Sequence, residues 1–263
     1  MSVTARRSTG SDGDPDHRAA GSASSSRYAR CHERVRARDP GLFYDLMWWL
    51  TVRPLLATRR VRAIDADRVP ASSAVILAPN HTTYADHLLV AGVSGRRLSF
   101  MAKSALFDGG LRFVTWLGAF PVMRGAHDRE AIQTALDVLE RGGCLVMYCE
   151  GTMSRDGMPR KPAKAGIGRL ALQTGAPIVP LAILGAPRPG RLRFPRITIR
   201  FGEPLHVVPT EARSRVREQQ IADEVLVEIT RLHEDLLAGG RALTRRPAVT
   251  TGSRWPGFRR RGT

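Results

Sequence analysis

The sequence predicts an α/β fold with a mainly parallel β-sheet covered by helices. From Val75 onward, short apolar runs alternate with longer segments of helical periodicity, which is the pattern of parallel strands joined by helices. Gly, Pro and Asn separate these runs, as they do between regular elements. A chain of 263 residues can bury a substantial core, and its length alone allows one large domain or two small ones. We assign one domain to residues 41–238.

The elements of this domain are predicted from apolar runs of strand length and from helix end signals. Asp128 is placed to cap a helix that ends at Gly142. A second helix covers residues 164–174 and stops at Gly175, and a long polar helix with a weak apolar stripe covers residues 211–237. The predicted strands are residues 74–78, 97–102, 119–123, 144–148, 178–184 and 196–202.

The most apolar stretch, residues 42–58, precedes the alternating region. Asp45, Arg53 and Pro54 interrupt it, and no run approaches the roughly 18–20 apolar residues that a membrane span needs. We therefore predict amphipathic helices within residues 41–62, as two short helices with a break near Pro54. One interpretation is that they cap the core. The other is that two tryptophans and an arginine cluster rest at a membrane interface; these residues are Trp48, Trp49, Arg59, Arg60 and Arg62.

The formal net charge of +17 is unevenly distributed along the chain. Residues 1–40 hold eight Arg against five acids, and residues 241–263 hold seven Arg and no acid. We predict disordered tails at residues 1–40, polar and basic, and at residues 239–263, basic. A basic surplus suits nucleic acid, an anionic membrane surface or phosphorylated substrates. With 38 Arg and 3 Lys, a coding bias towards arginine also accounts for part of the charge.

Residue patterns argue against several classes of partner. There is no helix-turn-helix, zinc-ligand spacing or aromatic-basic RNA motif, so neither a nucleic acid nor a metal is expected.

Cys31, Cys144 and Cys149 make no disulfide framework and fit a reducing compartment. No secretory signal is visible at the N-terminus.

His81 and Asp86, within the stretch Asn80–His87, are the strongest candidates for chemistry. A histidine and a carboxylate five residues apart can meet across one turn, where the carboxylate takes the Nδ1–H and leaves Nε2 free to accept a proton. That arrangement activates a weak nucleophile, most often a hydroxyl. The pair follows a predicted strand, where open α/β sheets place their ligands. The alternative is a loop histidine that bonds to the backbone; the neighbouring His87 is assigned no role.

Four motifs in sequence order resemble those of the glycerolipid acyltransferase family. Its patterns are Asn-His-x-x-x-x-Asp, Gly-x-x-Phe-x-x-Arg, Phe-Pro-Glu-Gly-Thr-Arg-Ser and a strand that contains Val-Pro. The resemblance extends over about residues 42–208 and implies the glycerolipid acyltransferase fold. The matching segments of this chain are Asn80–Asp86, Gly118–Arg124, Tyr148–Ser154 and Ile178–Leu184.

The resemblance implies an O-acyltransferase that passes an acyl group from acyl-CoA or acyl carrier protein to a glycerol hydroxyl. His81 is then the general base and Asp86 orients it. The acceptor hydroxyl attacks directly, so no covalent acyl-enzyme is required, and no bound cofactor is expected. Lipid substrates also favour the second interpretation of residues 42–58, so we predict a two-helix motif that contacts the membrane and peripheral attachment at the cytoplasmic face of the plasma membrane.

A phosphorylated acceptor calls for cations and backbone N–H donors. By resemblance, the phosphate-binding set is Lys103, Arg124, Glu150, Gly151, Thr152 and Arg155, and the further motif residues are Asn80, Gly118, Lys164 and Pro180. Glu150 can alternatively organise its loop by accepting backbone or arginine hydrogen bonds.

Two departures from the family pattern bear on the acceptor. Met153 stands where the family carries Arg, and Arg155 is a candidate replacement for that charge. Tyr148-Cys149 replaces Phe-Pro, which we expect to change only how the chain leaves the strand. The acceptor is thus 1-acylglycerol-3-phosphate, another lysophospholipid or a hydroxylated amino-acid lipid. A basic nucleic-acid-binding protein is a remote alternative, and intact His81 and Asp86 argue against a catalytically inactive scaffold.

Overall fold

A computed structural model of the chain reveals a single seven-stranded sheet with helices on both faces. The structure describes residues 27–37, 41–59, 61–108, 111–123, 128–154, 158, 162–186, 196–210, 212 and 214–242. The strands are β1 (Arg62–Ile64), β2 (Val75–Pro79), β3 (Leu98–Lys103), β4 (Ala119–Val122), β5 (Cys144–Val146), β6 (Ile178–Leu184) and β7 (Thr198–Phe201).

The helices lie between these strands and at both ends of the described chain. They are α1 (residues 27–37), α2 (Leu42–Met47), a π-helical turn (Trp48–Val52), α3 (Arg53–Arg59), α4 (Asp86–Ser94), α5 (Arg129–Glu140), α6 (Gly166–Thr174) and α7 (Arg215–Ala242). Short 3₁₀ helices cover Ala66–Arg68, Ser104–Phe107 and Leu111–Leu117.

The strand order is β1-β7-β6-β2-β5-β3-β4. Neighbouring strands run parallel except β6 and β7, which pair antiparallel. The predicted fold class, a mainly parallel sheet covered by helices, is therefore confirmed. All six predicted strands are present, with ends shifted by up to two residues. β1 was not predicted, because three residues at the edge of the sheet carry too short a pattern to be recognised.

Alternating side chains of the strands supply two separate cores. On β2, Ile76 and Ala78 pack into a cluster with α5, α6 and α7, whereas Val75 and Leu77 pack into a cluster with α4 and the N-terminal helices. All four side chains are fully buried, as expected for a central strand covered on both faces. This double coverage fixes the position of the loop that follows β2.

The predicted helices form, with different ends. Asp128 caps α5 as predicted, and its carboxylate accepts the backbone N–H of Ala131 at 3.0 Å. α6 begins at Gly166 rather than at residue 164 and ends before Gly175, which has a φ of +67°. The last helix is shifted towards the C-terminus and runs from Arg215 to Ala242 instead of over residues 211–237.

The predicted N-terminal tail contains an ordered helix. Residues 27–37 form α1 and pack against the domain, so the prediction of a disordered tail at residues 1–40 is wrong for this segment. Tyr28, Cys31 and Val35 of this helix are buried in the hydrophobic core, and polar bonds add to the packing. The partners are distant in sequence, so composition did not indicate these contacts. His32 Nδ1 lies 2.9 Å from Thr134 Oγ1, and Arg141 donates to the carbonyls of Val35 and Arg36 at 2.6 and 2.8 Å.

The predicted C-terminal tail begins too early, because α7 extends through residues 239–242. The remainder of both tail predictions, at residues 1–26, 38–40 and 243–263, lies outside the described residues.

The N-terminal apolar stretch is one continuous helical segment with two unlike faces. The backbone stays helical through Pro54, so the predicted break is wrong; the irregularity is the π-helical turn just before that proline, at Trp48–Val52. Trp48 is 8% exposed, packs in the core and donates Nε1–H to the Ala91 carbonyl, whereas Trp49 is 51% exposed. The prediction of an interfacial Trp48 is therefore wrong. None of the helices in the described part of the chain combines the length and the apolar composition of a membrane span.

Candidate active site

The candidate residues converge because four parallel strands, β2, β5, β3 and β4, end at the same edge of the sheet. His81 follows β2, Glu150 follows β5, and Lys103 is the last residue of β3. The loop after β4 leads to Arg124, which lies outside the described residues together with Arg155.

The predicted contact between His81 and Asp86 forms. His81 Nδ1 lies 3.0 Å from Asp86 Oδ2, and Asp86 is the first residue of α4. Both residues are buried, Asp86 completely. Nε2 of His81 has no hydrogen-bond partner among the described residues. The imidazole is thus held at one nitrogen and free at the other, as a general base for a hydroxyl requires.

Asp86 is itself held by the two residues that follow His81. Its Oδ2 accepts the backbone N–H groups of Thr82 and Thr83 at 2.6 and 2.8 Å. Its Oδ1 accepts both threonine hydroxyls, at 3.1 and 3.0 Å. With the imidazole, the carboxylate accepts five hydrogen bonds, which offset the cost of burying its charge. The turn between His81 and α4 is therefore folded around Asp86.

The loop after β5 holds the backbone of His81 on both sides. Glu150 Oε1 accepts the N–H of His81 at 3.0 Å, and the N–H of Ser154 donates to the His81 carbonyl at 2.7 Å. Glu150 is 6% exposed. A buried carboxylate committed to a backbone N–H does not attract phosphate, so the geometry assigns Glu150 the loop-organising contact rather than a place among the phosphate ligands.

Asn80 ties the end of β2 to β6. Its Oδ1 accepts the N–H of Ile183 at 2.7 Å, and its Nδ2 donates to the carbonyl of the same residue at 3.2 Å. Asn80 is fully buried. It therefore fixes the point from which His81 leaves the sheet.

Replacing Asn80 with alanine should lower the free energy of unfolding by about 2–4 kcal/mol, because the buried N–H and C=O of Ile183 lose these partners. Denaturant unfolding measures the change. Gln133→Ala is a matched control, since Gln133 is exposed and, among the described residues, its side chain bonds only to Asp137; it should cost less than about 0.5 kcal/mol. Equal stability of the two variants would contradict this role of Asn80.

The side chain of Lys164 covers the loop at Gly151. This glycine has a φ of +69°, and a Cβ built on it would lie 3.2 Å from the side chain of Lys164. The stem of Lys164 therefore passes directly over the loop and places an exposed cation beside it. Lys103 and Thr152 are also exposed at this edge and accessible to an anionic ligand.

Gly118 and Pro180 lie in the scaffold. Gly118 is buried with a φ of +83° and turns the chain into β4. Pro180 lies within β6, in register with Ala78 of β2. Both support the strands that end at the site and do not contribute polar side chains to it.

Four supporting residues were not identified from the sequence: Thr82, Thr83, Tyr148 and Ser154. The threonines occupy variable positions of Asn-His-x-x-x-x-Asp, where no residue type is diagnostic. Tyr148 departs from the family pattern, and its ring stacks on the imidazole of His81 with centroids 3.9 Å apart. The one available signal was that Ser154 matches the last residue of its motif.

The other titratable groups nearby are not suited to the chemistry. Burial lowers the pKa of His87 to about 4; this side chain stacks on Phe100 beside an apolar cavity of about 70 Å³. Burial likewise raises the pKa of the Cys149 thiol to about 12. The Cys144 thiol, whose pKa is also raised to about 12, begins β5 and so lies at the opposite edge of the sheet. These residues stay neutral at physiological pH, so His81 remains the candidate base of this site.

The model of the family described as Acyltransferase matches residues 60–184, and this part of the chain is a domain of that family. The resemblance drawn from the four motifs is therefore confirmed.

Among the proteins similar to this chain are several 1-acyl-sn-glycerol-3-phosphate acyltransferases. A 1-acyl-sn-glycerol-3-phosphate acyltransferase of Bacillus subtilis (strain 168) is 29% identical over 156 residues, covering 56% of this chain and 74% of that protein. The chloroplastic 1-acyl-sn-glycerol-3-phosphate acyltransferase LPAT1 of Arabidopsis thaliana is 23% identical over 170 residues, covering 58% and 47%. The crystal structure of PlsC, the 1-acyl-sn-glycerophosphate (LPA) acyltransferase of Thermotoga maritima, has a similar fold, with a TM-score of 0.56 at 23% identity, covering 71% of this chain and 77% of that one.

Proposed function

We propose that the protein transfers a fatty acyl group to the free hydroxyl of 1-acylglycerol-3-phosphate and so forms phosphatidic acid for phospholipid biosynthesis. The acyl donor in this proposal is acyl-CoA or acyl carrier protein. The observation that carries it is His81, bonded through Nδ1 to a buried Asp86 with Nε2 unoccupied by the described residues, at the edge of the sheet where Lys103 and Lys164 are exposed. The names of the relatives from Bacillus and Arabidopsis support the same acceptor.

The proposed reaction is a direct attack without an acyl-enzyme. The acceptor hydroxyl attacks the thioester carbonyl carbon while His81 Nε2 takes its proton, and a C–O bond forms. The tetrahedral intermediate then collapses, the C–S bond breaks, and the imidazolium returns the proton to the leaving thiolate. Asp86 stabilises the imidazolium between these steps. Every proton is accounted for by His81, so the scheme needs no further base and no cofactor.

The acceptor phosphate is assigned to cations around the Gly151 loop. Lys103 and Lys164 supply two of them, and Arg124 and Arg155 are proposed from the sequence motifs. Thr152 and backbone N–H groups of the loop are further donors. Met153 stands at the position of the motif arginine and is 38% exposed. Because methionine is uncharged, this position offers no cation to a phosphate. This single departure is why a different lysophospholipid or a hydroxylated amino-acid lipid is retained as the alternative acceptor.

The phosphate assignment predicts a specific change in acceptor kinetics. Arg124→Ala should raise the acceptor KM by about tenfold or more and reduce discrimination between phosphorylated and dephosphorylated acceptors, because a charge-assisted bond is lost. Arg155→Ala should behave in the same way if Arg155 replaces the motif arginine. Initial rates over a panel of lysolipids, with acyl-CoA and with acyl carrier protein donors, measure both effects.

The donor provides the internal control for that panel, since its KM should change little in either variant. If both variants keep the full preference for a phosphorylated acceptor, neither arginine binds the phosphate. If the wild-type enzyme prefers an unphosphorylated hydroxylated lipid, the alternative acceptor is correct.

We further propose peripheral attachment to the cytoplasmic face of the plasma membrane through the outer face of the N-terminal helical segment. The apolar side chains on this face are solvent-exposed, and the Arg53 guanidinium lies 4.1 Å from the ring centroid of Trp49. Phe113 and Trp116 extend the apolar surface, and Trp116 contacts Phe43. Exposed aromatic residues beside arginine suit an interface with anionic lipid. The exposed large apolar residues of the segment are Leu42, Phe43, Leu46, Trp49 and Leu50.

Apolar and electrostatic attachment can be separated with salt. High salt should release the protein from anionic vesicles only partly, because salt screens the arginines and not the apolar contact, whereas detergent should release it fully. The triple variant Leu46→Ser, Trp49→Ser, Leu50→Ser should bind vesicles at least about tenfold more weakly. Serine at Val216 and Val227, which are exposed on α7, is the matched control. Complete release by salt alone would show that these helices do not insert.

A further inference from the structure

The aromatic ring of Tyr148 covers one face of the His81 imidazole. The ring centroids are 3.9 Å apart and the planes are inclined by 25°, so the two rings are stacked. Tyr148 follows β5, the strand that is hydrogen-bonded to β2, from which His81 emerges. This stacking is a separate contact from the bond between Nδ1 and Asp86, and it engages the face of the ring rather than a nitrogen.

The face of a phenol ring attracts a cation more than it attracts a neutral group. In the proposed reaction His81 is neutral before the attack and becomes an imidazolium as it takes the hydroxyl proton. The stacking contact is therefore stronger in the transition state than in the ground state, which is the condition for an interaction to accelerate a reaction.

We propose that Tyr148 is a positioning residue that stabilises the protonated form of His81 during acyl transfer. This inference rests on the proposed function of His81 as the general base.

The other groups that face His81 do not duplicate this contact. Asp86 bonds to Nδ1 in the plane of the imidazole, and Glu150 bonds to the backbone N–H. His87, the next residue along α4, has a pKa lowered to about 4 by burial and is neutral. Burial and the nearby Asp86 carboxylate raise the pKa of Tyr148 well above its ordinary value, so the phenol is also neutral. Its effect on the imidazolium is that of an aromatic face and not of a phenolate.

The hydroxyl of Tyr148 is not needed for this role. Its Oη is buried and has no hydrogen-bond partner among the described residues. The motif of the family has phenylalanine at this position, and phenylalanine keeps the ring. A Tyr148→Phe variant therefore removes one unsatisfied polar atom and leaves the stacking contact, which makes it the matched control for loss of the ring.

The test compares Tyr148→Phe with Tyr148→Leu. Tyr148→Leu should lower kcat/KM about tenfold, mostly through kcat, and should move the acid limb of the pH profile of kcat/KM to lower pH. The direction follows because an imidazolium that is less stabilised gives up its proton at a lower pH. In Tyr148→Phe, the acid limb of the pH profile should stay at the pH of the wild type, and kcat/KM should remain within about threefold. The melting temperature of this variant should be no lower than that of the wild type. Tyr28→Phe, at a buried tyrosine that bonds to Asp108, should lose some stability and leave the profile unchanged.

A titration without substrate distinguishes this inference from the proposed function. In NMR spectra of histidine-labelled protein, the signal absent from His81→Ala identifies His81. Its midpoint of protonation should move to lower pH in Tyr148→Leu and stay in Tyr148→Phe. An unchanged midpoint in a folded Tyr148→Leu protein overturns the inference even if acyl transfer is observed. A shifted midpoint in a protein that transfers no acyl group supports the contact and overturns the proposed reaction.

Discussion

Replacing His81 with alanine should reduce the rate of acyl transfer by about 10²–10⁴-fold while the protein stays folded. The side chain supplies the base that takes the acceptor proton. Its loss leaves the backbone bonds to Glu150 and Ser154 in place, because these involve the N–H and C=O of residue 81. Steady-state rates, with circular dichroism and thermal unfolding to verify the fold, measure the effect.

A second histidine provides the control for this substitution. His206 is exposed and outside the site, so His206→Ala should keep the wild-type rate. Near wild-type turnover in a folded His81→Ala protein would end the assignment of His81 as the base. An unfolded variant would instead call for His81→Gln, which keeps a polar side chain of similar size and should lose activity to the same degree.

Changes at Asp86 should have the second-largest effect and should separate charge from hydrogen bonding. In Asp86→Asn, the amide oxygen can accept the three N–H donors that now bond to Oδ2, and the NH₂ group can donate to the threonine hydroxyls in place of Oδ1. The imidazole keeps its orientation but loses the charge that stabilises its protonated form. We expect turnover to fall by about 10–10²-fold, less than in His81→Ala, with little change in stability.

Asp86→Ala should behave differently, because it leaves two backbone N–H groups and two hydroxyls of Thr82 and Thr83 without their partner in a buried turn. The free energy of unfolding should fall by about 3 kcal/mol or more, and turnover should fall as far as in His81→Ala. Kinetics and denaturant unfolding of both Asp86 variants measure this contrast. If Asn and Ala at this position are equally stable, the turn is not folded around the carboxylate.

The features that could be predicted from the sequence are those that depend on residues close together along the chain. The contact of His81 with Asp86 follows from a strand followed by a helix within five residues, which leaves the two side chains on one turn. The fold class follows from apolar runs that alternate with helices. The caps at Asp128 and Gly175 also form as predicted, because capping depends on residues within one turn.

Contacts between residues distant in sequence were not predictable. Neither the helix at residues 27–37, held by Thr134 and Arg141, nor the stacking of Tyr148 on His81 follows from any local pattern. The difference in burial between Trp48 and Trp49, in contrast, could be predicted from the sequence. Trp48 lies four residues after Tyr44, and Trp49 lies three after Leu46, so helical periodicity places them on different faces. Periodicity within this segment therefore predicts one buried and one exposed tryptophan.

Release of free thiol from a long-chain acyl-CoA or acyl carrier protein by the purified protein, with and without 1-acylglycerol-3-phosphate, tests the central claim most directly. Direct attack by the acceptor predicts that thiol appears only when the acceptor is present, in equal amounts with phosphatidic acid, and that His81→Ala slows the formation of both to the same degree. Thiol released at the same rate without an acceptor would mean that water is the nucleophile. That result would contradict the account of His81 as the base for a lipid hydroxyl.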